Sequence, residues 1–368
     1  MHIENLSLIN FKNYTDVSLI FSSKINCLVG LNGSGKTNIL DAIYYLSMTK
    51  SAHNPMDNQN IKFGEKYFSI KGTFELPSGI NEAVCYFEEG AKKSFKVNKK
   101  DYGKLSEHIG RFPVVLITPY DTDIIREGSE VRRKFFDAII CQLDTNYLGY
   151  LIQYNNNLKQ RNSSLKQFNK SGIINKDLLE NYNNVLVTLS EKIYKIRKRF
   201  LETFDKSFQG KYNFIGDPLE NVSIDYYSQL ESNDFKLELE QATRKDVAME
   251  RTTMGIHRDD FKFKIDNNPL KKYGSQGQQK SFSIALKLAH FDVILNELNI
   301  TPILLLDDIF DKLDTKRIKK LLQLILGDTF GQVFITDARE ERTRDIMGEF
   351  NIDATYFTIN NGKVLEEA

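Results

Sequence analysis

The segment Gly30-Leu31-Asn32-Gly33-Ser34-Gly35-Lys36-Thr37 constrains this chain more than any other. It fits the pattern G-x-x-x-x-G-K-[ST]. The run before it, with Ile25, Cys27 and Val29 alternating, reads as a strand, and "TNILDAIYYLSM" after it reads as a helix. Gly30, Gly33 and Gly35 let the backbone wrap closely enough for its N–H groups to reach phosphate oxygens. Lys36 supplies a point charge to the β- and γ-phosphates, and the Thr37 hydroxyl is a ligand for Mg²⁺. With Leu31, Asn32, Ser34 and the adjoining Asn38 in the same turn, the expectation is a site for ATP with Mg²⁺.

A second segment supplies carboxylates. In "PILLLDD", Pro302 to Asp308, four apolar residues form a buried strand with Asp307 and Asp308 at its C-terminal end, where open α/β sheets bind ligands. Asp307 is expected to hold Mg²⁺, directly or through water. Asp308 is expected to orient or deprotonate the attacking water. "KRIKKLLQLIL" and "QVFIT" continue a strand-helix-strand alternation that rejoins the α/β start of the chain.

The 368 residues, 41% of them hydrophobic, suffice for one large or two ordinary domains. Net charge is +1, so any nucleic-acid binding must come from local patches. The three cysteines have no metal or redox spacing. The start lacks the pattern of a secretory signal, and no apolar run approaches the roughly 20 residues of a membrane span. A cytoplasmic protein with no membrane partner is expected. Residues 1–120 read as strands around the glycine-rich turn. Two helices of roughly 30 residues are expected over Glu130–Arg161 and Leu178–Phe204, with a turn between them, because apolar residues recur at steps of three or four. They read as an antiparallel arm, with an ordinary bundle as the alternative. The expected division is a nucleotide-binding head from 1–120 and 211–368, with a helical arm at 121–210. Lys159, Arg161 and Lys166 on the first helix, and Lys192, Lys195, Arg197, Lys198 and Arg199 on the second, could meet phosphates or form a solvated face.

"KKYGSQGQQKSFSIALKLA", from Lys271, is a glycine-bearing loop that opens a helix. With the two segments above, in that order, it resembles the "LSGGQ" signature of the ATP-binding-cassette ATPases, departing at the first and third positions. The resemblance implies that Ser275, Gly277 and Gln278 bind the γ-phosphate of ATP held by another subunit, and that "DKLD", Asp311 to Asp314, is the D-loop. The long interval between Lys36 and Ser275, filled by helices, is similar to that of structural-maintenance-of-chromosomes relatives.

"LSLINFKNY", Leu6 to Tyr14, narrows this. With "YYLSMTKS", "TPYDTDIIREGSEVRRKFFD", "YNNNLKQRN", "TTMGIHRDD", "GSQGQQKS" and "PILLLDDIFDKLD" following in order, it resembles the RecF family of bacterial recombination-repair proteins over most of the chain. The resemblance implies a head of the ABC type, weak ATP hydrolysis, an ATP-dependent homodimer on double-stranded DNA and single-strand/double-strand junctions, and partners RecR and RecO in loading RecA. Lys12 lies where the family contacts nucleotide; a solvated lysine is the alternative. The chain departs at Ala52 to Asn54, where an arginine is common, at Ser129 and Glu130, and at Ile256. Thr336 and Asp337 stand where transporter cassettes carry a switch histidine. His257-Arg258-Asp259-Asp260 reads equally as a bracing network or as lining of the nucleotide site. A transport-type ATPase subunit and a non-hydrolysing ATP-binding scaffold are the alternatives.

Overall fold

The computed structural model describes residues 1–231, 234–311, 315–327 and 329–367. In chain order its elements are β1 (His2–Ile9), β2 (Asp16–Ile20), β3 (Ile25–Val29), α1 (Lys36–Met48), β4 (Tyr67–Leu76), β5 (Gly79–Glu88), β6 (Ser94–Val97), β7 (Lys100–Asp101), β8 (Val114–Ile117), α2 (Ser129–Leu143), α3 (Thr145–Ser171), α4 (Lys176–Ile215), β9 (Val222–Tyr227), α5 (Phe235–Gln241), α6 (Thr243–Ala248), β10 (Asp260–Ile265), β11 (Asn268–Pro269), α7 (Gln276–Leu298), β12 (Ile303–Leu306), α8 (Thr315–Leu326), β13 (Val333–Asp337), α9 (Glu340–Glu349), β14 (Thr355–Asn360) and β15 (Lys363–Glu367). They fall into two compact units. One is Met1–Asp121, Phe214–Gly216 and Lys280–Ala368; the other is Thr122–Asn213 and Asp217–Gln279.

In the first unit a six-stranded sheet runs β15-β14-β3-β13-β12-β8, parallel except for β15. Its central strands are buried along their whole length, as a parallel sheet covered on both faces requires. Their side chains divide by the two-residue period. Leu28, Val114, Leu116, Ile303, Leu305 and Phe334 enter one core, and Cys27, Val29, Val115, Ile117, Leu304 and Leu306 enter the other. A second, antiparallel sheet runs β2-β1-β4-β5-β6-β7 and alternates buried and exposed residues, so only one face is covered. Helix α1 packs against that face. A Cβ at Gly72 on β4 would sit 2.5 Å from Leu46 Cδ1 of α1, so glycine sets this approach.

The second unit holds a separate three-stranded sheet, β11-β10-β9, and the long helices. The segment expected as the third, 211–368, is therefore divided between the units, because β9 to β11 pair among themselves. Phe261 of β10 stacks on Phe136 of α2, with centroids 4.0 Å apart.

The expected first helix is two helices. Asp144 ends α2 and caps α3, accepting hydrogen bonds from the amides of Asn146 and Tyr147. Helix α3 then continues to Ser171, so most of the expected turn is helical, and Gly172 closes it at φ 69°. Helix α4 is 40 residues long. Antiparallel pairing of α3 and α4 follows from contacts that run in opposite senses: Tyr147 with Arg197, Arg161 with Asn183, and Leu165 with Leu179.

Two arginines assigned from sequence to a solvated or phosphate-facing surface are buried instead. Arg161 Nη1 lies 2.7 Å from both Asp246 Oδ2 and Thr252 Oγ1. Arg197 pairs with Asp137 at 2.9 Å and Asp259 at 3.0 Å, and donates to the carbonyl of Ile256. The neighbouring Arg132 grips Asp260 through two bonds, and Arg133 donates to the Asp259 carbonyl. His257 meets Tyr154 at Nδ1 and the Thr252 carbonyl at Nε2. The segment His257 to Asp260 thus braces the helical unit. Replacing Arg197 with methionine leaves buried Asp259 and part-buried Asp137 without their shared cation. A loss of about 3–5 kcal/mol in unfolding free energy is expected, read by urea titration of the whole chain.

Burial also holds His108 and His257 down to about 4 and His290 down to about 3. These values lie below the ordinary 6.5 of an unfolded histidine. Between about pH 6.5 and 4 the unfolded chain therefore binds protons that the folded chain does not, and stability is lost as pH falls. A fully buried ring such as His108 is expected to remove about 2 kcal/mol between pH 7 and pH 5. An unfolding midpoint in urea that stays unchanged across that range would refute this.

Candidate nucleotide site

Parallel register brings three strand ends to one edge of the first unit. Val29 pairs with Asp337, and Leu306 with Ile335. The turn after β3, the carboxylates after β12 and the end of β13 are therefore neighbours.

The turn needs its glycines at two places. Gly30 has φ 144°, and a Cβ there would lie 2.2 Å from the carbonyl oxygen of Ile359. Gly35 has φ 122°, and a Cβ would lie 2.6 Å from Asn13 Nδ2. Leu31, Asn32 and Gly33 are exposed at the tip, while Ser34, Gly35 and Lys36 are buried. Lys36 Nζ donates to the carbonyls of Gly30 at 2.6 Å and Leu31 at 3.0 Å, which folds its charge over the turn. Ser34 Oγ is buried and has no hydrogen-bond partner among the described residues. A donor-rich turn at a helix N-terminus with an unsatisfied hydroxyl fits a phosphate chain.

The loop after β1 holds this turn from behind. Asn13 Nδ2 donates to the Ser34 carbonyl at 2.9 Å, Asn38 Nδ2 donates to Asn13 Oδ1 at 2.7 Å, and Tyr14 OH donates to the Gly35 carbonyl at 3.1 Å. The expectations drawn from "NFKNY" concern Lys12 and the resemblance, and do not include these supports from Asn13 and Tyr14. The sequence carries no local signal for them, since β2 and β3 separate Asn13 and Tyr14 from the turn.

Asp307 is the centre of the arrangement. Its Oδ1 accepts from Thr37 Oγ1 at 2.7 Å and from Thr336 Oγ1 at 2.9 Å. The Thr37 proton thus points at the carboxylate, leaving an oxygen lone pair for a cation. Thr37 and Asp307, the pair expected to hold Mg²⁺, offer hard oxygen donors of the kind that ion takes. Asp308 follows with φ 45°, and its N–H donates to Thr336 Oγ1 at 2.8 Å.

Lys12 leaves β1 at φ 53° and forms an ion pair of 2.6 Å with Asp41 of α1. Asp41 is fully buried and also accepts from Ser51 Oγ and the Ala52 amide, each at 2.7 Å. The segment with alanine where the resemblance expects arginine is thus tied to the first helix by a carboxylate that sequence reasoning did not select.

Ser275 belongs to the second unit, at the head of α7. Its N–H donates to Gln278 Oε1 at 2.7 Å, and its Oγ accepts from the Gln278 amide at 3.2 Å. This is a reciprocal cap. Ser275 is exposed, and the cap uses its Oγ only as an acceptor. Lys312 to Asp314, within the expected D-loop, lie outside the described residues. Lys159, Lys166, Lys192, Lys195, Lys198 and Arg199 are exposed on α3 and α4. Among the described residues no cluster of metal-ligating side chains of the His/Cys/Asp/Glu kind is found, and no helix is long and apolar enough to cross a membrane.

Residues 2–62 match the family model described as the RecF/RecN/SMC N terminal domain. The chain is 47% identical to the DNA replication and repair protein RecF of Flavobacterium johnsoniae, over 94% of this chain and 97% of that one. It is 45% identical to the protein of the same name from Cytophaga hutchinsonii, over 99% and 96%. Among solved structures, the recombination mediator protein RecF of the RecFOR pathway, in its RecF-ATPrS form, superimposes with a TM-score of 0.90 at 30% identity, covering 100% of this chain and 98% of that one. The Smc head domain from Pyrococcus furiosus shares the fold at a TM-score of 0.56 and 20% identity, over 99% and 96%. An α/β head of the ABC type with an added helical unit agrees with these likenesses, and the chain belongs to the RecF family of DNA replication and repair proteins.

Proposed function

We propose that this chain is an ATP-dependent DNA-binding ATPase of DNA replication and recombinational repair, working in the cytoplasm. The observation that carries the reading is the Thr37 hydroxyl set 2.7 Å from Asp307 Oδ1 beside a phosphate-binding turn. Lys36 exchanges its two backbone carbonyls for phosphate oxygens when ATP enters. Thr37 and Asp307 would hold Mg²⁺, which would neutralise charge on the phosphates. Asp308 orients the attacking water and accepts its proton. Lys12 and Asn38 flank the nucleotide.

The rest of the reading extends to a second copy. Exposed Ser275, with Gly277 and Gln278, closes over the ATP of a partner subunit, so that two ATP molecules sit in a homodimer on duplex DNA or at a single-strand/double-strand junction. The exposed lysines of α3 and α4, and Arg199, supply sequence-independent phosphate contacts. The similar solved structures are named for the RecFOR pathway, which supports a role beside RecO and RecR; loading of RecA is our extension of that role.

Phosphate release with and without duplex DNA tests the reading against a non-hydrolysing scaffold and a transport subunit. DNA-stimulated release is expected, and none at all would leave the scaffold. Lys36→Ala should weaken ATP binding by about ten- to a hundredfold in a direct titration, as loss of a charged hydrogen-bond donor implies. Ser275→Arg should keep the ATP affinity of the single chain but abolish ATP-induced dimers in sedimentation. Dimers that still form normally would sink the shared site.

A further inference from the structure

Thr336 and Asp337 stand together where transport cassettes carry a switch histidine, and Thr336 is the one that touches the carboxylate pair. Its side chain is fully buried at the end of β13. One hydroxyl makes both of its possible kinds of bond at once. It donates to Asp307 Oδ1 at 2.9 Å and accepts the Asp308 N–H at 2.8 Å. The next residue adds a third tie, since the Asp337 carbonyl accepts from the Gly30 amide at 3.3 Å. Two successive residues of one strand therefore hold the carboxylate pair on one side and the first glycine of the phosphate turn on the other.

The bond to Asp308 matters because of the backbone there. At φ 45° this residue is in the left-handed region, which costs an L-amino acid energy unless its neighbours hold it. The Thr336 hydroxyl is the acceptor that holds its amide. Among side chains of this size, serine and threonine are the ones whose single oxygen both donates strongly to a carboxylate and accepts from an amide. The β-branch of threonine restricts χ1 and so keeps that atom in place.

We propose that Thr336 is a positioning residue for ATP hydrolysis, a two-way brace that aims Asp307 at the cation and fixes the backbone from which Asp308 reaches water. The inference rests on the nucleotide-site reading above. It deepens that reading by making the β13 terminus the element that keeps the carboxylates in register with the phosphate turn.

The test compares Thr336→Val, which keeps volume and removes the hydroxyl, with Thr336→Ser, which restores it. Thermal unfolding confirms folding of each. Should valine prevent folding, Thr336→Cys, with a weak donor of similar size, serves in its place. ATP affinity in EDTA is expected to match wild type within about twofold for both variants, as no phosphate contact is removed. In Thr336→Val, kcat for phosphate release should fall by about fivefold or more, with KM little changed. The Mg²⁺ concentration that half-maximally tightens ATP binding should rise by about fivefold or more. Thr336→Ser should recover most of both losses. A smaller fall in Thr336→Val, or an equal loss in Thr336→Ser, overturns the brace. Lys36→Ala measured alongside separates the two possible failures. If it behaves as wild type, the nucleotide-site reading falls and takes this inference with it. An inactive Lys36→Ala beside a fully active Thr336→Val overturns the brace alone.

Discussion

One carboxylate oxygen joins the two ends of this chain. Asp307 Oδ1 accepts a hydrogen bond from Thr37, 270 positions earlier, and a second from Thr336. The strand ends must already be level for those bonds to form, and parallel pairing of β3, β13, β12 and β8 makes them level. A second long-range tie works at the opposite side of the same sheet. Buried Gln332, just before β13, exchanges hydrogen bonds with both backbone groups of Ile3 and reaches the Ser22 carbonyl. Strand β13 is thus anchored at its start by an amide and at its end by a hydroxyl. The site depends on its length being held between the two.

The sheet can serve as that frame because it is insulated on both faces. Alternate residues of every central strand go to different cores, so no strand end can turn over without moving an apolar set into the wrong layer. The antiparallel sheet does something else. Its covered face admits α1 closely at Gly72, and α1 carries Lys36 and Thr37 at its first turn. The position of the phosphate turn is therefore set twice, by β3 before it and by the seating of α1 after it.

Much of this was legible in the sequence for a simple reason. A phosphate turn and a carboxylate-tipped strand are local patterns, readable within about eight residues. The supports were not, because they are distant in sequence: Asn13 behind Ser34, Tyr14 behind Gly35, Asp41 beneath Lys12. The break at Asp144 escaped for a different reason. Leu143 and Tyr147 are four apart, so the apolar step continues through it, and only the capping side chain of Asp144 marks the boundary. Arg161 and Arg197 were misplaced because helical periodicity sorts residues by polarity. Two arginines with buried acidic partners sit on the inner face that the rule reserves for apolar side chains.

Those arginines also explain how two long helices keep one register. The apolar stripe repeats with each turn, so α3 could slide on α4 by one turn, about 5.4 Å, and still bury apolar surface. Arg161 is matched to Asn183 and Asp246, and Arg197 to Tyr147, Asp137 and Asp259. A one-turn slip would part Arg161 from Asn183 and Arg197 from Tyr147, and the helix that moved would also draw its guanidinium away from acids fixed on other elements, at a cost of several kcal/mol for a buried charge left unpaired. Apolar residues at these positions could stabilise the pair equally well, but they would not distinguish one register from the next. The ion pairs reach from α3 and α4 to α2, to α6 and to the turn before β10. They therefore fix the helices and the small sheet as one body, and the residues at His257 to Asp260 earn their polarity there.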